Sequence, residues 1–148
     1  MVVVSSWEAA LDMAKTLQPE DLAKSGSEHG EQCAVMLWAA LNRSEYPQLR
    51  WLHAIPNGNS HHQVAEGVRS GVPDLHLPFP VRQWHGFYCE MKIESRRNHK
   101  NGGRTDEQVE WHEYLTSAGY FVVTCYSWQE AIQAILEYLT GASHGTSK

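Results

Sequence analysis

The clearest periodicity in the chain is Phe87-Tyr88-Cys89-Glu90-Met91-Lys92-Ile93, where apolar Phe87, Cys89, Met91 and Ile93 alternate with Tyr88, Glu90 and Lys92. Side chains on a strand point to opposite faces in turn. The run therefore predicts a strand that gives its apolar set to a core and holds Glu90 and Lys92 together on the other face. Residues 49–55 read as a second strand, ended by the turn residues Pro56-Asn57-Gly58-Asn59. Another is expected over 72–77, after Gly71 and before Pro78 and Pro80, and a β-branched, aromatic one over 121–126.

Helical period marks the rest. Trp7, Leu11 and Ala14 form a stripe over 7–17, with Ser5 and Glu8 at capping-box spacing and Pro19 as a stop. The polar stretch 19–27 reads as a linker. A second helix opens at Ser25 or Ser27 and runs to Asn42 through Ala34, Leu37, Trp38 and Leu41, with Glu31, Val35 and Trp38 on one side. Thr105 and Gln108 open a third, through Val109, His112 and Leu115 to about Ala118, with Gly119 as its C-terminal residue. Ser127 and Glu130 cap a last one, striped by Ala131, Ile132, Ile135, Leu136 and Leu139; a short helix is expected over 61–69. The order helix, helix, strand, (helix), strand, strand, helix, strand, helix predicts an α/β domain with a small mixed sheet flanked by helices.

The 148 residues suffice for one domain with its own core. No apolar run nears the roughly 20 residues that span a bilayer. Met1-Val2-Val3-Val4 is too brief, and too soon followed by Glu8 and Asp12, for a secretory signal, so a cytoplasmic protein with no membrane partner is expected. Cys33, Cys89 and Cys125 are odd in number and form no CxxC pair, which excludes a disulfide framework and a zinc ribbon; buried free thiols are expected. The adjacent His61-His62 have poor spacing for shared zinc coordination. His76 and His53 are expected to be half-buried and hydrogen-bonded, Trp38 and Trp128 to lie in the core, and Trp84 to be the better candidate for an exposed contact to a base. Residues 141–148, rich in Gly, Ser and Thr, are expected to be a disordered tail.

The formal charge of -5 speaks against nucleic acid until its distribution is considered. Lys92, Arg96, Arg97, Lys100 and Arg104 form a basic run opposed only by Glu94. By itself such a run is as well explained by a solvated loop as by phosphate binding.

Pairing of the strand before Pro78 with the strand of Glu90 would bring Asp74 beside Glu90. Two carboxylates on one face repel unless a cation sits between them, and hard oxygen ligands with open positions suit magnesium or manganese. Lys92 would then stand where a phosphate and an attacking water bind. Phosphodiester hydrolysis needs that set: a nucleophile, a Lewis acid and stabilisation of developing charge. On spacing alone, an exposed ion pair on a solvated sheet face is the commoner arrangement.

The wider context is more specific. Gly71-Val72-Pro73-Asp74-Leu75, Tyr88-Cys89-Glu90-Met91-Lys92, Thr105-Asp106-Glu107-Gln108 and Gly119-Tyr120-Phe121-Val122-Val123, in that order, resemble the VRR-NUC (virus-type replication-repair nuclease) family of the PD-(D/E)xK superfamily. The resemblance extends to Glu28-His29-Gly30-Glu31-Gln32 and Ala54-Ile55-Pro56-Asn57-Gly58 and covers residues 28–140. It implies a restriction-endonuclease-like core over 28–140, preceded by an N-terminal helix and linker over 1–27. It implies Asp74 and Glu90 as ligands of Mg2+ or Mn2+, with the main-chain carbonyl of Met91 as a third oxygen and Lys92 as the catalytic lysine. Gln108 would contact Lys92 or the phosphate, and Glu31 would approach the metal directly or through water, with Glu28 as a competitor for that role. Beside such a site the basic loop reads as a DNA contact through Arg96, Arg97, Lys100 and Arg104.

The small stand-alone members of that family resemble dimeric resolvases of four-way (Holliday) junctions. The short chain is similar to that kind. This implies a structure-specific deoxyribonuclease of DNA repair, a homodimer on branched DNA and a phage or prophage setting. The helix before residue 28 would form the dimer interface or cap the core. Two alternatives stand beside it: a flap or end-processing nuclease on the same fold, and a DNA-binding module without catalysis. The intact Asp74, Glu90 and Lys92 weigh against the second.

Overall fold

The alternating run forms β3 (Phe87–Met91) at the centre of a computed structural model that describes residues 17–57 and 60–142. Before it come α1 (Pro19–Ala23), α2 (Glu28–Leu41), the two-residue β1 (His53–Ala54), α3 (His61–Ala65) and β2 (Leu75–Leu77). After it come α4 (Asp106–Ser117), β4 (Phe121–Cys125) and α5 (Trp128–Thr140). The sheet order is β1-β2-β3-β4. The first two pairings are antiparallel and β3–β4 is parallel, the direction a crossover through α4 allows. The expected mixed sheet flanked by helices is therefore present. The helix expected over 7–17, the tail from 143 and part of the turn at Gly58-Asn59 lie outside the described residues.

One face of the sheet is the core. Leu75, Leu77, Phe87, Cys89 and Met91 are buried against Val35 and Ala39 of α2 and Ala131, Ala134, Ile135 and Tyr138 of α5. On the opposite face α4 lies along β4 and brings Gln108, His112 and Leu115 inward. Cys89 and Cys125 are buried free thiols, and Cys33 is half-buried. Among the described residues no helix is long and apolar enough to cross a membrane.

Several expected boundaries differ, each for a local reason. In 49–55 only His53–Ala54 pairs, because Pro47–Trp51 winds into a 3-10 helix with Pro47 in its first turn. Leu49 and Leu52 are buried all the same. Pairing of β2 starts at Leu75, since Pro73 has no N–H to give a ladder, although the Asp74 carbonyl still accepts from Ile55 N at 2.8 Å. The stretch 19–27, expected as a linker, instead carries α1, which Pro19 starts because its missing N–H costs nothing at a first helical position. Ser27, not Ser25, caps α2, accepting from Gly30 N at 3.0 Å. Trp38 and Trp128 pack against the core as expected, but so does Trp84, which meets Phe121 edge-on at 5.6 Å and is no exposed platform. His76 is half-buried and stacks on Tyr88 at 4.2 Å, yet its Nε2 has no hydrogen-bond partner among the described residues. Burial and the nearby His53 push its pKa down to about 4. His53 itself is exposed and pairs with the Trp51 carbonyl at 2.9 Å.

The loop before Asp74 is pressed against α4. Trp111 Nε1 donates to the Ser70 carbonyl at 3.0 Å, and Ser70 Oγ donates to Glu107. Gly71 has φ +88, and a Cβ there would lie 2.8 Å from the Glu107 carbonyl carbon. Both the backbone and the space exclude a side chain. Gly71→Ala should destabilise the fold by about 2–3 kcal/mol. An unchanged urea midpoint would show that the loop yields freely.

Candidate active site

The β2–β3 register sets Leu75 against Cys89, so one step further Asp74 faces Glu90. Opposed residues of an antiparallel ladder share a face. Asp74 Oδ2 accepts from Met91 N at 2.7 Å, and Asn57 Nδ2 lies 3.3 Å from Oδ1. The Asp74 carboxylate is thus tied to the strand that carries Glu90.

Glu90 is 1% exposed. Its Oε1 accepts from Gln108 Nε2 at 2.8 Å and lies 3.9 Å from Lys92 Nζ. Gln108 is oriented by the capping box of α4: its Oε1 accepts from Thr105 N at 2.9 Å, and its own N donates to Thr105 Oγ1 at 3.2 Å. With its carbonyl oxygen engaged, its amide nitrogen turns to Glu90. Gln108, expected at Lys92 or a phosphate, is placed by the structure on the Glu90 carboxyl group. Glu90 Oε2 is buried and has no hydrogen-bond partner among the described residues. Burial pushes the Glu90 pKa up to about 9; the Asp74 charge adds to the effect and Lys92 opposes it.

Lys92 is 7% exposed. Its N–H donates to the Cys125 carbonyl at 2.8 Å, which extends the β3–β4 pairing and anchors the residue. Its ammonium stands between Glu90 and Glu28, whose Oε1 lies 4.0 Å away. Glu28 opens α2 and stays partly exposed. Glu31 lies elsewhere: its Oε2 accepts from Trp128 N at 2.7 Å, at the positive N-terminal end of α5. Of the two acids on α2, the structure brings Glu28 to the cluster and Glu31 to a helix cap.

The basic loop divides as well. Arg97 forks onto Glu94 with two contacts of 2.7 Å, pairs with Glu130 and lies 4.4 Å over the Tyr126 ring. Arg104 donates through Nε to the Asn101 carbonyl at 2.9 Å and places Nη1 3.1 Å from His112 Nδ1. Arg96 and Lys100 are exposed. His112, read from sequence only as part of a helical stripe, lies four residues after Gln108 and thus on the same side of α4. That spacing was the available signal.

The donors fit a hard divalent cation: two facing carboxyl groups, one with a buried oxygen that no described residue satisfies. Among the described residues no three His, Cys, Asp or Glu side chains form a ready cage. The rest of a coordination shell would be main-chain oxygen and water. A groove of about 540 Å³ lined by Arg69, Ser70, Glu107, Glu110, Trp111 and Tyr114 includes none of the cluster.

No family model matches the sequence, and no curated protein does. A solved structure named VRR_NUC domain protein is similar to it, with 26% sequence identity, a TM-score of 0.64, and coverage of 78% of this chain and 90% of that one.

The raised Glu90 pKa bears on stability. Without metal, the buried carboxyl costs nothing below its ordinary value of 4.5 and progressively more as pH rises from there towards about 9. Glu90→Gln removes that cost. In EDTA the variant should be more stable than wild type at neutral pH, by about 3 kcal/mol at most, and no more stable at pH ~4. Urea titrations at both pH values check this; a less stable variant at neutral pH would refute it.

Proposed function

The chain is a VRR-NUC domain of the nuclease fold, and on that footing we propose that it hydrolyses DNA phosphodiester bonds with a divalent metal, Mg2+ or Mn2+, and acts on branched DNA. The observation that carries this reading is the pairing of Asp74 with a buried Glu90 whose Oε2, 3.9 Å from His112 Nε2 and beside Lys92, has no hydrogen-bond partner among the described residues. A solvated surface ion pair, the competing explanation of the spacing, does not bury its carboxylate to 1% exposure.

A bound divalent cation supplies Lewis acidity at the phosphate and acidifies water. Asp74, Glu90 and the Met91 carbonyl would hold it. Gln108 keeps Glu90 Oε1 directed into the site. Lys92, held between Glu90 and Glu28, orients the attacking water and stabilises the charge that develops on the phosphate. Glu28 takes the part first expected of Glu31, since the Glu31 carboxylate is occupied at the end of α5. As a homodimer the protein would offer two sites to the two strands of a four-way junction.

Labelled four-way junctions, flaps and linear duplexes, with Mg2+, Mn2+ or EDTA, test this directly. Paired cuts in the junction, abolished by EDTA, are the expected result. Cutting of flaps or ends alone would keep the nuclease and remove the resolvase, and no cutting would favour a binding module. Lys92→Ala should fold and lose about 100-fold or more in cleavage rate; full activity would sink the assignment.

DNA affinity should depend on Arg96 and Lys100, which are exposed, more than on Arg97 and Arg104, whose guanidinium groups are engaged. Arg96→Ala with Lys100→Ala should lower the salt slope of binding by about 2. An unchanged slope would mean that the loop is merely solvated.

A further inference from the structure

The contact between Arg104 and His112 decides the state of a ring that faces Glu90. A guanidinium carries only N–H donors. Its Nη1 lies 3.1 Å from His112 Nδ1, so that nitrogen must be the acceptor. The ring is then neutral, and its proton sits on Nε2. Nε2 is buried and lies 3.9 Å from Glu90 Oε2, and neither atom has a hydrogen-bond partner among the described residues. The other Glu90 oxygen already accepts from Gln108.

We propose that Arg104 is a positioning residue that fixes the Nε2–H tautomer of His112 and thereby aims a hydrogen-bond donor at Glu90 Oε2. Once Glu90 is ionised beside a bound cation, the carboxylate is oriented through both oxygens, by Gln108 on one and His112 on the other, with a lone pair of Oε2 left for the cation. The gap exceeds a hydrogen bond by about 1 Å, and a small turn of either side chain closes it. Arg104 is itself held by the Asn101 carbonyl in a turn where Asn101 and Gly102 take φ of 56 and 65. A loop expected from sequence to meet DNA therefore also reaches, through Arg104, the ring that faces Glu90. The tautomer is independent of the proposed function; only the use to which Glu90 is put rests on it.

Side-chain nitrogen NMR of the metal-free protein at neutral pH reads the tautomer, with His112→Gln assigning the signals. The Nε2–H form is expected in wild type, and its loss or mixing in Arg104→Leu. An Nδ1–H or doubly protonated ring in wild type would overturn the proposal, whether or not any variant folds. Mn2+ titration reads the consequence. His112→Leu and Arg104→Leu should each weaken Mn2+ binding about tenfold, as loss of a ligand's outer partner does. The double variant should be no worse than either, and His112→Gln, which keeps a donor, should recover most of the loss. Equal affinity throughout would overturn the positioning role. A wild type with the Nε2–H ring that binds no Mn2+ would instead overturn the proposed function.

Discussion

Sliding β2 past β3 by one residue would turn Leu75 and Leu77 away from the core and carry Asp74 into the layer beneath α2 and α5. Each large apolar side chain moved into water costs about 1.5–3 kcal/mol, and an unpaired carboxylate moved into the core costs more. The register is therefore set by the apolar residues, and the acids follow. Leu75, Leu77, Phe87, Cys89 and Met91 fill one face, which obliges Asp74 and Glu90 to meet on the other. The Asp74 carboxylate on Met91 N–H then locks the same register from the polar side.

What the core fixes, α4 completes. Its capping box is a local device that ends a helix, yet it also turns the Gln108 amide toward Glu90. Lys92 lies deep enough to be held by two acids and shallow enough for one of them to reach solvent. The cluster has more acid than it can neutralise alone, and burial makes Glu90 hold its proton. The metal-free fold thus carries a local cost in the place where the cation would be most welcome.

The parts legible from sequence were those set by local pattern. Alternation at residues 87–91 gave the central strand, and Thr105 with Gln108 gave the start of α4. Over 49–55 the apolar pattern reported the burial of Leu49 and Leu52 correctly and the strand only at His53–Ala54, because Leu49 and Leu52 reach the core from a 3-10 turn and the residue after it. The choice between Glu28 and Glu31 depends on how α2 is rotated by the packing of Val35 and Ala39, and no local signal carries that. Arg97 and Arg104 looked alike as charges, but Glu130, 33 residues from Arg97, and His112, eight from Arg104, gave each a separate task. Such pairings arise only when the elements dock.

The Glu31 carboxylate spans 97 residues of chain to reach Trp128 N. On a ribosome, Asp74, Glu90 and Lys92 emerge well before Gln108, β4 and the start of α5. Until those segments follow, Glu31 has no helix end to bind, Glu90 has no amide to hold it, and Lys92 has no Cys125 carbonyl to receive its N–H. Contacts so distant in sequence form late. The acids and the lysine are translated early, but their alignment waits for the last third of the chain, so a nascent or truncated polypeptide carries these residues without the arrangement that gathers them into one cluster.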